Sequence, residues 1–159
     1  MLLISHLKSF AIHGVGSICV EASAVVPEGR ISPEDNGIWS DEHIPQLKRV
    51  VDFVHAQGTI IGIQLAHSGR KGSTRAPWVQ VDLSGNNKTP ESSVATIEEG
   101  GWPDQVFAPS DIPFSDAHAK PKALTEQQII QIEEAFAQAA RRAKQAGCEW
   151  LPSIKLVLD

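Results

Sequence analysis

Two short apolar runs alternate with amphipathic segments along the first half of the chain. Residues 17–25 and 59–65 are rich in small and β-branched side chains and lack the polar alternation of a half-solvated strand. Strands that are buried on both faces, as in parallel sheets, have this composition. We therefore predict two parallel strands with helices packed against them.

A helix is predicted between these two strands. Four apolar residues recur there at the spacing of one helical face: Leu47, Val50, Val51 and Val54. Gly58 is placed to end this helix, because glycine adopts the left-handed conformation at little cost. Its start is ambiguous, since Ser40 could cap a first turn that Pro45 would then interrupt.

Two further helices and a last strand complete the prediction. The sequence Thr125-Glu126-Gln127-Gln128 is a capping box, and Gly147 is placed to end the helix that it begins. Another amphipathic segment around Leu7 precedes the first strand and ends at Gly14. A last strand is expected from Cys148. This order predicts an α/β fold with a parallel sheet, either a barrel or an open sheet.

The long segment 66–123 has no hydrophobic periodicity. It contains Trp78, Trp102 and most of the prolines of the chain. A loop of this length in a compact domain is usually functional or disordered, and its aromatic residues favour an active-site lid.

Composition excludes several classes of protein. The 159 residues include 14 Lys and Arg against 19 Asp and Glu, a formal net charge of −5, which does not supply the basic face that nucleic-acid binding requires. No apolar run approaches the ~20 residues of a membrane-spanning helix, and nothing resembles a signal peptide. We therefore expect a cytoplasmic protein, with Cys19 and Cys148 as buried free thiols.

The residues suggest few sites for chemistry. The six histidines have no metal-binding spacing, and no catalytic triad or carboxylate pair stands out, so no metal ligand and no catalytic residue is assigned. Glu21, inside a predicted buried strand, is expected to pair with Arg70 or Lys71; Arg70 could instead bond to loop carbonyls. Glu149 raises the same question about its partner.

Gln64 is the most informative polar residue, because it ends an otherwise apolar strand. Side chains at that end of a barrel strand face the ligand. A primary amide both donates and accepts, which suits a ring edge such as the pyrimidine side of a flavin. The alternative, which the pattern alone favours, is an amide bonded to neighbouring backbone. Ala22, at the matching height of the first strand, fits either packing or a flat cofactor.

Three segments together closely resemble the old yellow enzyme family, in its thermophilic-like branch. They are residues 20–30 (VEASAVVPEGR), 37–42 (GIWSDE) and 62–71 (GIQLAHSGRK). The resemblance extends to about Trp150 and implies a (β/α)8 TIM barrel that holds FMN noncovalently. It also implies hydride transfer from NAD(P)H to the flavin and then to an activated carbon–carbon double bond. Carried over by position, Gln64 would bond the pyrimidine edge and Ala22 would lie against the isoalloxazine ring.

The resemblance is incomplete. A TIM barrel takes ~250 residues, so residues 1–150 are expected to form a partial FMN-binding barrel, roughly strands 2 to 4 with their helices. The tail 151–159 departs from the family, whose His-x-x-His pair and following tyrosine have no counterpart here. We expect the chain to be truncated and unable to bind FMN tightly or turn over. The alternative is a non-catalytic pseudoenzyme fragment that acts through protein contacts and self-associates at exposed strand edges.

Overall fold

The computed structural model of the protein describes residues 2–80, 92–150 and 155–156. These residues form four helices and five strands: α1 (Leu2–Ile12), β1 (Ser17–Ala24), α2 (Ile44–Ala56), β2 (Ile60–His67), α3 (Pro77–Gln80), β3 (Phe107–Ala108), β4 (Lys122–Ala123), α4 (Glu126–Ala146) and β5 (Lys155–Leu156). The predicted α/β fold is confirmed. Most of the tail 151–159 lies outside the described residues.

The main sheet has the order β1-β2-β5, and every pair in it is parallel. Backbone pairing with β2 begins ahead of β5, at the residues that follow α4. The Glu149 N–H donates to Ile61 O at 3.0 Å, and the Ile63 N–H donates to Trp150 O at 3.3 Å. The last strand expected from Cys148 is present, and the structure shows in addition that it lies beside β2. Parallel strands joined by covering helices are β/α units, which build both barrels and open parallel sheets.

The helix ends follow the local signals in the sequence. At the start of α4 the Thr125 side chain accepts from the Gln128 N–H at 3.3 Å, and Gly147 follows the helix at φ 102°. The ambiguous start of α2 is resolved by a separate 3-10 turn, Asp41–His43, which Ser40 caps. Pro45 then occupies the first turn of α2, where a missing N–H has no intrahelical acceptor to lose, so it does not interrupt the helix.

The core lies between one face of the sheet and the helices α1, α2 and α4. It contains Leu7 and Ala11 from α1, Val50, Val51 and Val54 from α2, Val20, Ile61, Ile63 and Leu65 from the strands, and Phe136, Ala139 and Ala143 from α4. Burial of this apolar surface is the main stabilising term for the β/α units. None of the described helices is long and apolar enough to cross a membrane.

The opposite face of the sheet is partly open. In β1 the side chains of Cys19 and Glu21 are exposed, and in β2 Ile60 is 48% exposed. The prediction that both strands are buried on two faces is therefore wrong for β1. It is also wrong for Cys19 as a buried thiol, because no layer of the described chain covers this face.

The long segment is better ordered than its lack of periodicity suggested. Where it is described, it forms short turns, the parallel pair β3–β4 and an isolated antiparallel bridge between Thr74 and Val94. The buried Ser73 hydroxyl donates to Ala95 O at 3.0 Å and accepts from the Trp102 N–H at 2.8 Å. Residues 81–91 lie outside the described part.

Candidate functional site

The carboxyl ends of β1 and β2 border a cavity of about 110 Å³, which we call the site pocket. Its lining comprises Ala22, Ala24, Gly29, Arg30, Ile31, Asp35, Asn36, Gln64, Ala66, His67 and Ser68. Both residues that the sequence analysis selected for cofactor binding, Ala22 and Gln64, therefore lie at one site. This end of a parallel sheet is where α/β barrels place their ligands.

A β-bulge in β1 shapes one side of the site pocket. The pairing with β2 is regular up to Val20 and resumes at Ser23, which faces Leu65, so one extra residue is accommodated between them. Bulges redirect side chains and are common beside active sites. Here Ala22 is exposed to the pocket, and with Ala24 and Ala66 it gives a wall without long side chains.

Gln64 enters the same pocket from β2 and is half-buried. Its side-chain amide forms no hydrogen bond with any residue that the structure describes. The alternative of an amide bonded to neighbouring backbone is therefore not what the structure shows. The carbonyl and NH2 groups remain available to a ligand.

The loop that follows β1 closes another side of the pocket and is fastened to the end of β2. The Ser68 N–H donates to Gly29 O at 2.8 Å, and the Ser68 hydroxyl donates to Arg30 O at 2.8 Å. A Cβ on Gly29 would lie 3.1 Å from the His67 ring, which explains why the smallest residue stands there. The loop and the strand end thus form one packed unit.

His67 is held in its neutral form beside the pocket. It is 5% exposed, its Nδ1 accepts from the Gly69 N–H at 3.0 Å, and burial lowers its pKa while the nearby Glu28 carboxylate acts in the opposite direction. The neutral ring therefore carries its proton on Nε2.

The structure corrects two of the predicted ionic contacts. Glu21 is exposed and forms no ion pair within the described ranges, so the predicted pair with Arg70 or Lys71 is absent. Arg70 does not bond to loop carbonyls either: its Nη2 lies 3.5 Å from Ser110 Oγ, and its buried Nε has no partner.

Glu149 and Cys148 lie away from the site pocket. The Glu149 carboxylate accepts from the Ile61 N–H at 2.9 Å and contacts Nε2 of His55 at 2.7 Å, at the beginning of β2. Cys148 is partly buried, and this burial, with smaller contributions from Glu149 and Cys19, raises its pKa to about 11. Its thiol is therefore a packing group at neutral pH.

Arg30 is one of the pocket residues to which the sequence analysis assigned no role. It lies within the segment that carries the family resemblance, but a single arginine in a loop gives no functional signal. Its placement depends on Trp39 and Trp102, which lie in other segments. Within the part of the chain that the structure covers, no group of three or more His, Cys, Asp or Glu residues could hold a metal ion.

Comparisons with known proteins point in one direction. Residues 1–151 match the sequence profile of the family described as NADH:flavin oxidoreductase / NADH oxidase. An NADH:flavin oxidoreductase of Gibberella zeae is 41% identical over 145 residues, covering 91% of this chain and 33% of its own length. An NADPH dehydrogenase of Bacillus velezensis is 42% identical over 143 residues, covering 90% and 34%.

A solved structure agrees with the sequence matches. The crystal structure of TcOYE with pHBA is similar with a TM-score of 0.68 and 25% identity, over 94% of this chain and 40% of that chain. The chain thus spans about a third of the length of the curated relatives that it matches.

Proposed function

Because the chain belongs to the NADH:flavin oxidoreductase / NADH oxidase family, that of the old yellow enzymes, we propose that it forms part of the flavin site of an FMN-dependent NAD(P)H oxidoreductase. FMN, when bound, would take a hydride from NAD(P)H and pass it to an activated carbon–carbon double bond of a small molecule. One observation carries the proposal: Ala22 and Gln64 line one pocket at the carboxyl ends of adjacent parallel strands.

Gln64 would bind the polar edge of the ring system. A flavin pyrimidine edge alternates carbonyl and N–H groups, and the free Gln64 amide offers one acceptor and two donors at the pocket. Ala22 would allow the flat ring system to approach the backbone, because it extends only one methyl group into the pocket. These two roles orient the ring, while the redox chemistry belongs to the cofactor.

We propose that the chain by itself binds FMN weakly. A cavity of about 110 Å³ is smaller than the ~300–1,000 Å³ of typical ligand pockets. The described residues therefore supply one wall of a site, and turnover would require the other walls. The exposed sheet face around Cys19, Glu21 and Ile60 would favour self-association of the isolated chain, as would the outer edge of β1, which is paired among the described residues only at Ala24.

The experiment is a fluorescence titration of FMN with the wild-type chain and with the variant Gln64→Met, which keeps the length of the side chain and removes both polar groups. Loss of two neutral hydrogen bonds costs about 1–3 kcal/mol, so we expect a roughly 5- to 150-fold larger Kd. Gln131→Met, the same change on the exposed surface of α4, is the matched control.

The outcomes separate cleanly. A larger Kd for Gln64→Met alone supports the assignment. Equal Kd values for the wild type and Gln64→Met would refute the role of Gln64. The remaining outcome is a wild-type chain that is folded by circular dichroism and binds no FMN at the highest concentration tested. This result would refute the proposal that this chain carries a wall of a flavin site.

A further inference from the structure

The guanidinium of Arg30 lies over two indole rings. Its Cζ lies 4.6 Å from the ring centroid of Trp102 and 5.2 Å from that of Trp39. Its Nε donates to Pro27 O at 2.9 Å, and its Nη1 donates to Pro33 O at 2.7 Å. We call this set of contacts the Arg30 clamp.

The Arg30 clamp joins three segments that are separate in sequence. Arg30 belongs to the loop after β1, Trp39 precedes α2, and Trp102 belongs to the long segment between β2 and α4. The Trp102 indole also donates from Nε1 to Glu28 O at 3.1 Å, in the same loop as Arg30. Contacts of one cation with two aromatic faces and two carbonyls hold that loop through several interactions at once.

The same loop supplies much of the lining of the site pocket. Gly29, Arg30, Ile31 and Asn36 all line it, and Ser68 ties the first two to the end of β2, the strand that carries Gln64. A shift of this loop therefore changes the space into which Ala22 and Gln64 face.

We propose that Arg30 is a positioning residue: the Arg30 clamp holds the loop 27–36 against the end of β2 and so sets the shape of the site pocket. The effect on the loop is a property of the chain alone. The effect on FMN binding rests on the proposed function. Arg30 acts through its contacts with the loop and the two indole rings. A lysine would keep the positive charge but could not hold the loop equally well, because it lacks the planar guanidinium that stacks on the rings and donates two hydrogen bonds.

The first measurement is the FMN titration on Arg30→Met, Arg30→Lys and the control Arg49→Met, the same change on the exposed surface of α2. We expect Arg30→Met to raise the Kd by about tenfold or more, because preorganisation of the pocket is lost. Arg30→Lys should fall between it and the wild type, and Arg49→Met should match the wild type. Wild-type affinity in Arg30→Met would overturn the proposal.

The second measurement does not need a flavin. Hydrogen exchange followed by mass spectrometry should show faster exchange in peptides from residues 27–39 of Arg30→Met, with α4 unchanged. Unchanged exchange, or an equal rise throughout the chain, would overturn the proposal. If wild-type protein binds no FMN, the proposed function fails and this exchange pattern alone decides the role of Arg30.

A second pair of variants keeps the test decisive if Arg30→Met does not fold. Trp102→Phe retains an aromatic face for the guanidinium, whereas Trp102→Leu removes it. Both variants lose the indole N–H that donates to Glu28 O, so the proposal expects slower exchange of residues 27–39 in Trp102→Phe than in Trp102→Leu. The same exchange rate in both variants would contradict it.

Discussion

Replacing Glu149 with alanine should weaken the contact between β2 and the segment that follows α4. The carboxylate of Glu149 is the acceptor for the Ile61 N–H at 2.9 Å, and its other oxygen contacts Nε2 of His55 in α2 at 2.7 Å. One side chain therefore connects the segment after α4, the beginning of β2 and the end of α2. The variant Glu149→Ala removes both contacts and leaves the Ile61 N–H without its acceptor.

The two contacts contribute unequally to the free energy of unfolding. A backbone hydrogen bond to an ionised group contributes about 1.5–3 kcal/mol when it is buried. The Glu149 side chain is 40% exposed, so water can replace part of this hydrogen bond in the variant. The contribution of the bond should therefore lie at the lower end of that range, about 1.5 kcal/mol. The pair with His55, whose side chain is 37% exposed, adds at most about 1 kcal/mol. We expect Glu149→Ala to lower the free energy of unfolding by about 2 kcal/mol.

The assay is urea unfolding followed by circular dichroism, with Glu149→Gln and the exposed Glu133→Ala as comparisons. Glutamine keeps a neutral acceptor for the Ile61 N–H, so it should recover about half of the loss. The double variant with His55→Ala separates the share of the contact between Glu149 and His55. A loss below about 0.5 kcal/mol for Glu149→Ala, equal to that of an ordinary surface change, would refute the reasoning.

Two further predictions concern the thiols and the open sheet face. Burial raises the pKa of the Cys148 thiol to about 11, whereas the Cys19 thiol is exposed on the open face of the sheet. Iodoacetamide at neutral pH should therefore label Cys19 first, as peptide mass spectrometry would show, and equal labelling rates would contradict this. The isolated chain should self-associate, so the molecular mass from light scattering should rise with protein concentration. At equal concentration the mass should be lower for Ile60→Asp, because this variant places a charge on the open face of the sheet. A mass of one chain at every concentration would contradict it.

The parts of the fold that the sequence predicts correctly depend on local signals. The capping box at Thr125 and the glycine at position 147 set the two ends of α4, since each acts on the backbone within a few residues. The apolar face of α2 was readable because helical periodicity is a property of the segment itself. The 3-10 turn before α2 was not foreseen, although Ser40 was recognised as a cap, because the turn separates Ser40 from the α-helix proper.

The exposure of β1 could not be read from its own residues. An apolar run shows that a strand prefers burial, but its second face is covered only if other parts of a barrel pack there. Cys19 and Glu21 are exposed because the described chain supplies no such layer. The bulge between Val20 and Ser23 was also beyond prediction, because it arises from the pairing of two strands rather than from one.

The candidate site divides in the same way. Gln64 could be found because one polar residue in an apolar strand stands out within a short window. Arg30 could not, because its environment includes the Trp102 indole, which lies far along the chain, as well as that of Trp39. For Arg70 the sequence suggested hydrogen bonds to loop carbonyls that the structure does not show. Its buried Nε has no hydrogen-bond partner among the described residues.

The two ends of β2 carry different tasks. Ile61, which Glu149 holds, and Gln64 are three residues apart, about 10 Å along the strand. In barrels the amino ends of the strands contribute stability and the carboxyl ends bind ligands. Glu149→Ala should therefore reduce the fraction of folded chain without changing the FMN affinity of the molecules that remain folded. Gln64→Met should instead weaken FMN binding and leave the fraction of folded chain unchanged. Altered flavin affinity in fully folded Glu149→Ala would show that the start of β2 also shapes the pocket, and the separation of the two ends would then be wrong.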